Sequence, residues 1–155
     1  VAAGADQWQL RPQDQPNQRR RDLQAVAHAL RHLGTRLGYE VEGDNPLLWR
    51  HAQSGEVRYA FYLLASAMVW RFLAAPHPQA HHHVLVLPGS RAGLLAYKMQ
   101  RDPRLAATLQ RGWHVLKFRH LHRMAGQSDL GHDLWEALLD SDPPLWRETA
   151  QMSMF

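Results

Sequence analysis

Apolar residues recur at helical spacing along the first third of the chain, at positions 23, 26, 27, 30, 33 and 37. Most are three or four residues apart, which places their side chains on one face of an α-helix. The pattern predicts an amphipathic helix that begins at Leu23 and ends at Gly38, with Gly34 as a weak point inside it. Residues 1–22 lack this periodicity and are predicted to form a flexible basic and polar tail.

Short segments rich in Val, Leu, Tyr and Phe follow this helix and are separated by turn-forming residues. They predict strands over residues 39–42, 47–52 and 57–64, joined by hairpins and therefore antiparallel. The wholly apolar run at 84–87 predicts a fourth strand at the centre of a sheet covered on both faces. A fifth strand is predicted over 114–120. A crossover joins it to the fourth, so the two are expected to be parallel and either adjacent or separated by one strand.

Helical segments lie between and after these strands. They are predicted over residues 65–73, from Ser90 onward with a break at Asp102-Pro103, and from Ser128 to Asp142. The chain is therefore expected to be an α/β protein whose central mixed sheet has about five strands flanked by helices. The expected divisions are a tail at 1–22, this core at 23–125 and a C-terminal helical extension at 126–155.

The composition fits one such core. The chain has 155 residues, of which 45% are hydrophobic, and this is enough for a single ordinary core. Lys and Arg together number 18 against 14 Asp and Glu, and the sequence pI is near 10.0. A basic excess favours an anionic partner such as nucleic acid.

The absence of cysteine excludes disulfides, iron–sulfur clusters and thiolate zinc sites. A metal ion would therefore need histidine or carboxylate ligands. No apolar run reaches the roughly 20 residues that cross a bilayer, so no membrane partner is expected. The lack of cysteine and of such a run leads us to expect a cytoplasmic protein.

Two acidic residues stand beside turns in the strand-rich segment. The loop Gly43-Asp44-Asn45-Pro46 is followed by Glu56-Val57-Arg58, in which an acid lies two residues before a base. The chain resembles the restriction-endonuclease-like, or PD-(D/E)XK, superfamily of nucleases. The resemblance lies in the order of these acidic and basic residues and in the order of helices and strands over about residues 23–123. The resemblance implies a restriction-endonuclease-like core, which is a central mixed sheet flanked by helices.

In that family an Asp at the start of the second strand and an acid-x-Lys on the third hold one or two Mg²⁺ ions. The resemblance implies that Asp44 and Glu56 are the metal ligands and that, with Arg58, they are the catalytic residues of a metal-dependent phosphodiesterase. Hard divalent cations take oxygen ligands and activate water for attack on phosphate. Arg58 stands where the family has lysine. An arginine can bind a phosphate, but it stays protonated and cannot transfer a proton.

Other interpretations of these residues stay open. The loop around Asp44 has ordinary turn composition, and Glu56 is equally an exposed residue beside a turn. If Ala60 and Tyr62 are the structural equivalents of the family's acid and lysine, no metal site remains.

Basic residues are concentrated between positions 91 and 123, where eight Lys or Arg stand against one acid, Asp102. Such a surface can follow a nucleic-acid backbone. Ser90 and Arg91 also stand at a predicted helix N-terminus, where free backbone N–H groups attract anions. The residues predicted to contact nucleic acid are Ser90, Arg91, Lys98, Arg101, Lys117 and Arg119.

The histidines at 81–83 and the tryptophans favour structural roles. Adjacent histidines on an extended segment point to opposite faces, so a surface loop is favoured over a transition-metal site. Most tryptophans, Trp70 among them, lie on apolar faces, which predicts core packing rather than base stacking.

Two functions compete. The first is a nucleic-acid-binding, nuclease-like domain, either a Mg²⁺-dependent DNA endonuclease or its inactive relative, with DNA as the expected partner. The second is a non-catalytic interaction or scaffold module of a larger assembly, which binds another protein or forms a homodimer. The replaced lysine and the uncharged middle of the third strand favour the second.

Overall fold

The computed structural model describes residues 15–65 and 68–141. Its helices and strands are, in chain order, α1 (Gln15–Arg36), β1 (Tyr39–Glu42), β2 (Leu47–His51), β3 (Val57–Leu63), α2 (Trp70–Leu73), β4 (His82–Leu87), α3 (Gly89–Arg101), α4 (Pro103–Gln110), β5 (Trp113–Lys117), α5 (Phe118–Ala125) and α6 (His132–Ser141). Within these residues no helix combines the length and the hydrophobicity needed to cross a membrane.

One five-stranded sheet forms the centre of the fold, and its strand order β1-β2-β3-β4-β5 is the order of the chain. β1 pairs antiparallel with β2, and β2 pairs antiparallel with β3. β3, β4 and β5 are parallel neighbours, and helical segments connect them. The sheet is therefore mixed and open, and β4 and β5 are adjacent.

Each face of the sheet has its own hydrophobic core, because successive side chains along a strand point to opposite faces. On the first face, Tyr59, Phe61 and Leu63 of β3 pack with α1, α5 and α6. On the second face, Ala60 and Tyr62 of the same strand pack with α2, α3 and α4. This three-layer arrangement confirms the predicted fold class, a five-stranded mixed sheet flanked by helices.

The sequence of β4 explains its position inside the sheet. Val84, Leu85, Val86 and Leu87 are all fully buried and alternate between the two cores. Burying one such side chain completely stabilises the fold by about 1.5–3 kcal/mol. A strand that is apolar on both sides needs helices on both sides, as it has here.

α1 is longer than the apolar pattern predicts. It begins at Gln15, so residues 15–22, which the sequence assigns to a flexible tail, are helical. Gln and Arg have high helix propensity, and the Gln18 amide donates to the Asp22 carboxylate at 2.9 Å. Polar residues can therefore extend the helix beyond the stripe that packs on the sheet. The rest of the predicted tail, residues 1–14, lies outside the described residues.

Two other elements differ from their predicted bounds. Of the helix predicted over 65–73, the described residues contain only the four residues of α2. The strand predicted over 114–120 ends three residues early and is followed at once by α5. Phe118, Leu121 and Met124 are three residues apart and contact the first core, which is helical rather than alternating spacing.

The C-terminal helix α6 belongs to the first core. Trp135 is fully buried, and the centroid of its ring system lies 5.0 Å from that of Trp49 and 5.8 Å from that of Tyr59. Leu130 and Leu139 join the same cluster. The part of the predicted C-terminal extension that the structure describes is therefore an integral part of the fold, and residues 142–155 are not among the described residues.

Candidate nucleic-acid interface

Asp44 lies in the loop between β1 and β2. Its side chain is 97% exposed and accepts a hydrogen bond from the Arg31 guanidinium of α1 at 2.8 Å. The neighbouring Asn45 holds the loop in place, because its amide donates to the Leu63 carbonyl at 2.9 Å and accepts from the Leu63 amide at 3.0 Å. Asp44 thus has a surface ion pair, and Asn45 makes the structural contacts.

Glu56 lies in the loop between β2 and β3, exposed and 3.9 Å from Nε2 of His81. It is at the opposite end of β2 from Asp44. At about 3.3 Å per residue, the five residues of β2 hold the two loops roughly 13 Å apart. Ligands of one ion lie within about 5 Å of each other, so this pair does not form the predicted Mg²⁺ site. The alternative positions, Ala60 and Tyr62, are buried and offer no carboxylate.

The third predicted catalytic residue, Arg58, lies at a β-bulge. The pairing of β2 with β3 shifts between Trp49 and Arg50, which leaves Arg58 as an extra residue on β3. A bulge changes the direction of a side chain, and the Arg58 guanidinium lies 3.7 Å from the Glu136 carboxylate of α6. Arg58 therefore belongs to a different part of the molecule from the loop of Asp44.

Arg58 contributes to a polar pocket near the first residues of β3, β4 and β5. This histidine pocket has a volume of about 280 Å³ and is lined by Arg58, Tyr59, His82, His114, Glu136 and Leu139. The His82 ring stacks on Tyr59 at a centroid distance of 5.0 Å and lies 5.7 Å from His114. The assignment of the histidine run to a surface loop is wrong for His82 and His83, which are half-buried on β4.

Burial controls protonation in the histidine pocket, because removal from water disfavours the charged form of a group. It lowers the pKa of His82 from its ordinary value and raises the pKa of Tyr59 to about 12. Burial also raises the pKa of Tyr39, whose hydroxyl contacts His132 beside the pocket. At neutral pH these three side chains are therefore uncharged, and the ion pair of Arg58 with α6 supplies the charge.

One turn of α6 carries side chains that could hold a metal ion. Ligand atoms of His132, Asp133 and Glu136 lie within 4.8 Å of one another. The Tyr39 hydroxyl contacts Nε2 of His132, and Nδ1 of the same ring lies 3.4 Å from the Glu136 carboxylate. A contact to the ring nitrogen that does not bind the metal orients a metal-binding histidine. Histidine with carboxylates suits a transition metal better than Mg²⁺. Arg58 competes for the Glu136 carboxylate.

Of the six residues predicted to contact nucleic acid, Ser90, Arg101 and Arg119 are exposed, Arg91 and Lys98 are half-buried, and Lys117 is buried. Arg91, Lys98 and Arg101 are on α3, whose first turn includes the exposed Ser90, and Arg119 is exposed at the start of α5. Lys117 ends β5 with only 2% of its surface exposed. Helices cover both sides of the sheet at that point, so Lys117 is not available as a surface contact.

α3 presents a basic stripe, which we define as Arg91, Lys98 and Arg101. The buried positions of this helix are Ala92, Leu95, Ala96 and Met99. Residues seven and three apart share one side of a helix, so the three basic side chains lie along one side of α3, where Arg91 and Lys98 are half-buried and Arg101 is exposed. At about 1.5 Å per residue, the stripe is roughly 15 Å long. The sequence of α3 contains no Asp or Glu.

Arg119 adds positive charge at the N-terminal end of the basic stripe. A Cβ on Gly89 would lie 4.0 Å from Nη1 of Arg119, so the guanidinium reaches the first residue of α3. α3 and α5 both begin where the parallel strands β4 and β5 end, so their N-termini lie at the same edge of the sheet. Positive ends of helix dipoles and two arginine side chains favour an anion at this edge.

Sequence reasoning missed two exposed aromatic residues and most of the histidine pocket. Trp70 is 43% exposed and Tyr97 is 47% exposed, although apolar composition assigned both to packed helices. The helical spacing of the apolar residues Ala92, Leu95, Ala96 and Met99 was a usable signal for Tyr97, because it puts Tyr97 on the opposite, solvent-facing side of α3. His114 and Glu136 had no comparable signal, since the pocket combines residues from separate elements.

Comparison of the chain with protein-family models, with curated proteins and with solved structures gave no match. The structure defines the molecule as an α/β protein with a five-stranded mixed sheet and three basic residues along one side of α3. Its functional assignment rests on the geometry of these residues.

Proposed function

We propose that this protein binds the phosphate backbone of nucleic acid through α3 and the start of α5, without metal chemistry at Asp44 and Glu56. The observation that carries the proposal is the basic stripe. Its three cations lie along one side of a helix that has no acidic residue, and Arg119 lies at its N-terminal end.

Electrostatics explains why such a stripe suits nucleic acid. Lys and Arg side chains that neutralise phosphates release condensed counterions, and this release supplies most of the sequence-independent affinity. Along a duplex, phosphates of one strand recur about every 3.4 Å of axis, so a stripe roughly 15 Å long passes about four of them. Three side chains and the helix N-terminal edge are enough to contact a backbone segment of that length.

The resemblance to restriction-endonuclease-like proteins makes DNA the first candidate partner. The mixed five-stranded sheet between helices is what that resemblance implies, and a restriction-endonuclease-like core stays a proposal. In this interpretation the chain is an inactive relative, because the two carboxylates lie at opposite ends of β2. We expect Asp44→Ala/Glu56→Ala to leave nucleic-acid affinity unchanged, with or without Mg²⁺.

Binding of a fluorescently labelled DNA duplex, measured by anisotropy at several salt concentrations, tests the proposal. Arg91→Ala/Arg101→Ala should weaken binding at least about tenfold and lower the slope of log K against log salt by about 1.8, because each phosphate contact contributes about 0.9. Arg19→Ala/Arg21→Ala is the matched control, since both residues are exposed on α1, which packs on the opposite face of the sheet from α3. It should keep the wild-type slope.

Two results would contradict this function. One is the absence of DNA or RNA binding by the wild-type protein at about 50 mM salt, where phosphate contacts are strong. That result would favour the interaction or scaffold module. The other is an equal loss in the stripe variant and in its matched control, which would mean that only net charge matters.

A further inference from the structure

An apolar groove opens at the C-terminal end of α3. It has a volume of about 480 Å³, and its lining includes Met68, Trp70, Arg71, Tyr97, Lys98 and Arg101. Pockets that hold small ligands have volumes of about 300–1,000 Å³. Trp70, Tyr97 and Met68 are large apolar side chains that remain exposed there. Contiguous exposed apolar surface of this kind marks an interaction site.

The charges around the groove are positive. Arg71, Lys98 and Arg101 contribute three cations, and the one acidic lining residue is Asp102. The Asp102 carboxylate accepts hydrogen bonds from the backbone N–H groups of Arg104 and Leu105, at 3.0 and 3.3 Å, and so caps α4. The groove therefore suits a partner that combines negative charge with a flat apolar surface.

We propose that the groove binds a base of single-stranded nucleic acid, stacked on Trp70 or Tyr97, while the backbone continues along the basic stripe. This inference rests on the proposed function and specifies the form of nucleic acid. Lys98 and Arg101 belong both to the stripe and to the groove, so a backbone that follows the stripe arrives at the aromatic side chains.

The arrangement of Arg101 supports stacking. Its guanidinium carbon lies over the face of the Tyr97 ring, 4.5 Å from the ring centroid, so a planar cation and an aromatic ring are already stacked on the groove wall. Bases stack on aromatic rings and on guanidinium planes alike. In a duplex the bases are stacked on each other and paired, and their faces are not available. The groove therefore selects for unpaired strands.

An acidic amphipathic peptide is the competing occupant of a positive apolar groove. The base is favoured because the stripe continues from the groove to the N-terminal edge of α3, where Arg119 lies beside Gly89. A strand of phosphates matches that row of cations over its whole length, whereas the groove alone would be enough for a peptide anchor.

The test compares three labelled ligands by anisotropy: a short oligothymidylate, an abasic strand of the same length, and a duplex. The abasic strand keeps the phosphates but lacks the bases. Trp70→Ala/Tyr97→Ala should weaken oligothymidylate binding by about tenfold or more, since each stacked base contributes that much to affinity. Binding of the abasic strand and the duplex should stay at wild-type affinity, and the salt slope should not change.

Two control variants separate stacking from general damage. Trp70→Phe/Tyr97→Phe keeps both rings and should bind oligothymidylate nearly as well as the wild type. Leu94→Ala removes an exposed apolar side chain of the same helix that does not line the groove, and it should have no effect. Trp70 and Tyr97 are exposed, so their replacement leaves both cores intact.

The outcomes distinguish this inference from the proposed function. If the wild-type protein binds none of the three ligands, the proposed function fails and the inference fails with it. If stripe variants lose binding but Trp70→Ala/Tyr97→Ala binds oligothymidylate as the wild type does, only the base-stacking groove is overturned. Binding of an acidic amphipathic peptide that depends on Trp70 and Tyr97, with nucleic-acid affinity unchanged in their absence, would overturn it in favour of a protein partner.

Discussion

Gly34 sets how closely α1 approaches the sheet. A Cβ at this position would lie 2.5 Å from Nε1 of Trp49 and 2.7 Å from its Cε2. The same indole N–H donates to the Leu30 carbonyl at 3.1 Å, one turn earlier in the helix. The sequence identifies Gly34 only as a weak point in a helix, because nothing local connects it with a residue on β2. Its role is to leave room for the indole.

We expect Gly34→Ala to lower the free energy of unfolding by about 1–3 kcal/mol, the usual effect of overpacking a core. This loss opposes the gain of about 1 kcal/mol that Ala has over Gly in a helix interior. Gly93 in α3 is the matched control, because it is exposed and a Cβ there would meet no heavy atom within 4 Å. Gly93→Ala should stabilise the protein by roughly 0.5–1 kcal/mol. Urea denaturation measures both, and a stabilised Gly34→Ala would show that α1 can move away from Trp49.

At the scale of elements, β4 begins two residues before its apolar run. His82 pairs with Tyr59 and His83 with Ala60, so both histidines extend the parallel ladder with β3. Nδ1 of His83 lies 2.9 Å from the Tyr62 hydroxyl. The strand therefore starts with two half-buried titratable residues, one beside each core.

These histidines make stability depend on pH. Burial lowers the pKa of both His82 and His83, so below about pH 6.5 the unfolded chain binds more protons than the folded one. The free energy of unfolding should therefore fall as the pH is lowered from about 7.5 to 5.5. His83→Phe should reduce this dependence, because it removes one of the two half-buried imidazoles whose pKa is lowered. Denaturation at several pH values measures the slope, and an unaltered slope in His83→Phe would contradict the assignment.

Hydrophobic patterning predicted the elements whose spacing is regular. The helix in the first third of the chain, the hairpin strands and the apolar centre of β4 all follow from local periodicity. The end of β5 could not be predicted in this way. The alternating pattern of the strand is followed, without an intervening turn residue, by the helical spacing of α5. The bulge at Arg58 and the histidine pocket depend on contacts between distant residues. Trp70 lies in a helix of four residues, which is too short for a period to be recognised.

The last described helix, α6, completes the first of the two cores. Trp135 of α6 contacts Trp49, Tyr59 and Phe61, with centroid distances between 5.0 and 6.2 Å, and closes the first core over β2 and β3. Helices α2, α3 and α4 complete the second core without it. The helices that cover the two faces of the sheet therefore come from different parts of the sequence: α6 completes the first core, and α2, α3 and α4 cover the second.

We expect Trp135→Ala to lower the free energy of unfolding by about 3–5 kcal/mol, the usual cost of removing a buried Trp. Leu134→Ala, next to it but exposed, should change stability by less than about 0.5 kcal/mol. Thermal or urea unfolding measures both. Similar stabilities of the two variants would mean that α6 is dispensable to the first core.

The sequential strand order also bears on how the protein forms during synthesis. Each strand leaves the ribosome after its neighbour in the sheet, so the hairpins of β1 to β3 can assemble first and β4 and β5 can add at one edge. The aromatic residues that α6 covers cannot pack against Trp135 until that helix has left the ribosome. A nascent chain paused before α6 therefore presents an aromatic surface of Trp49, Tyr59 and Phe61, which makes that interval the one in which chaperone binding or self-association would be most favoured.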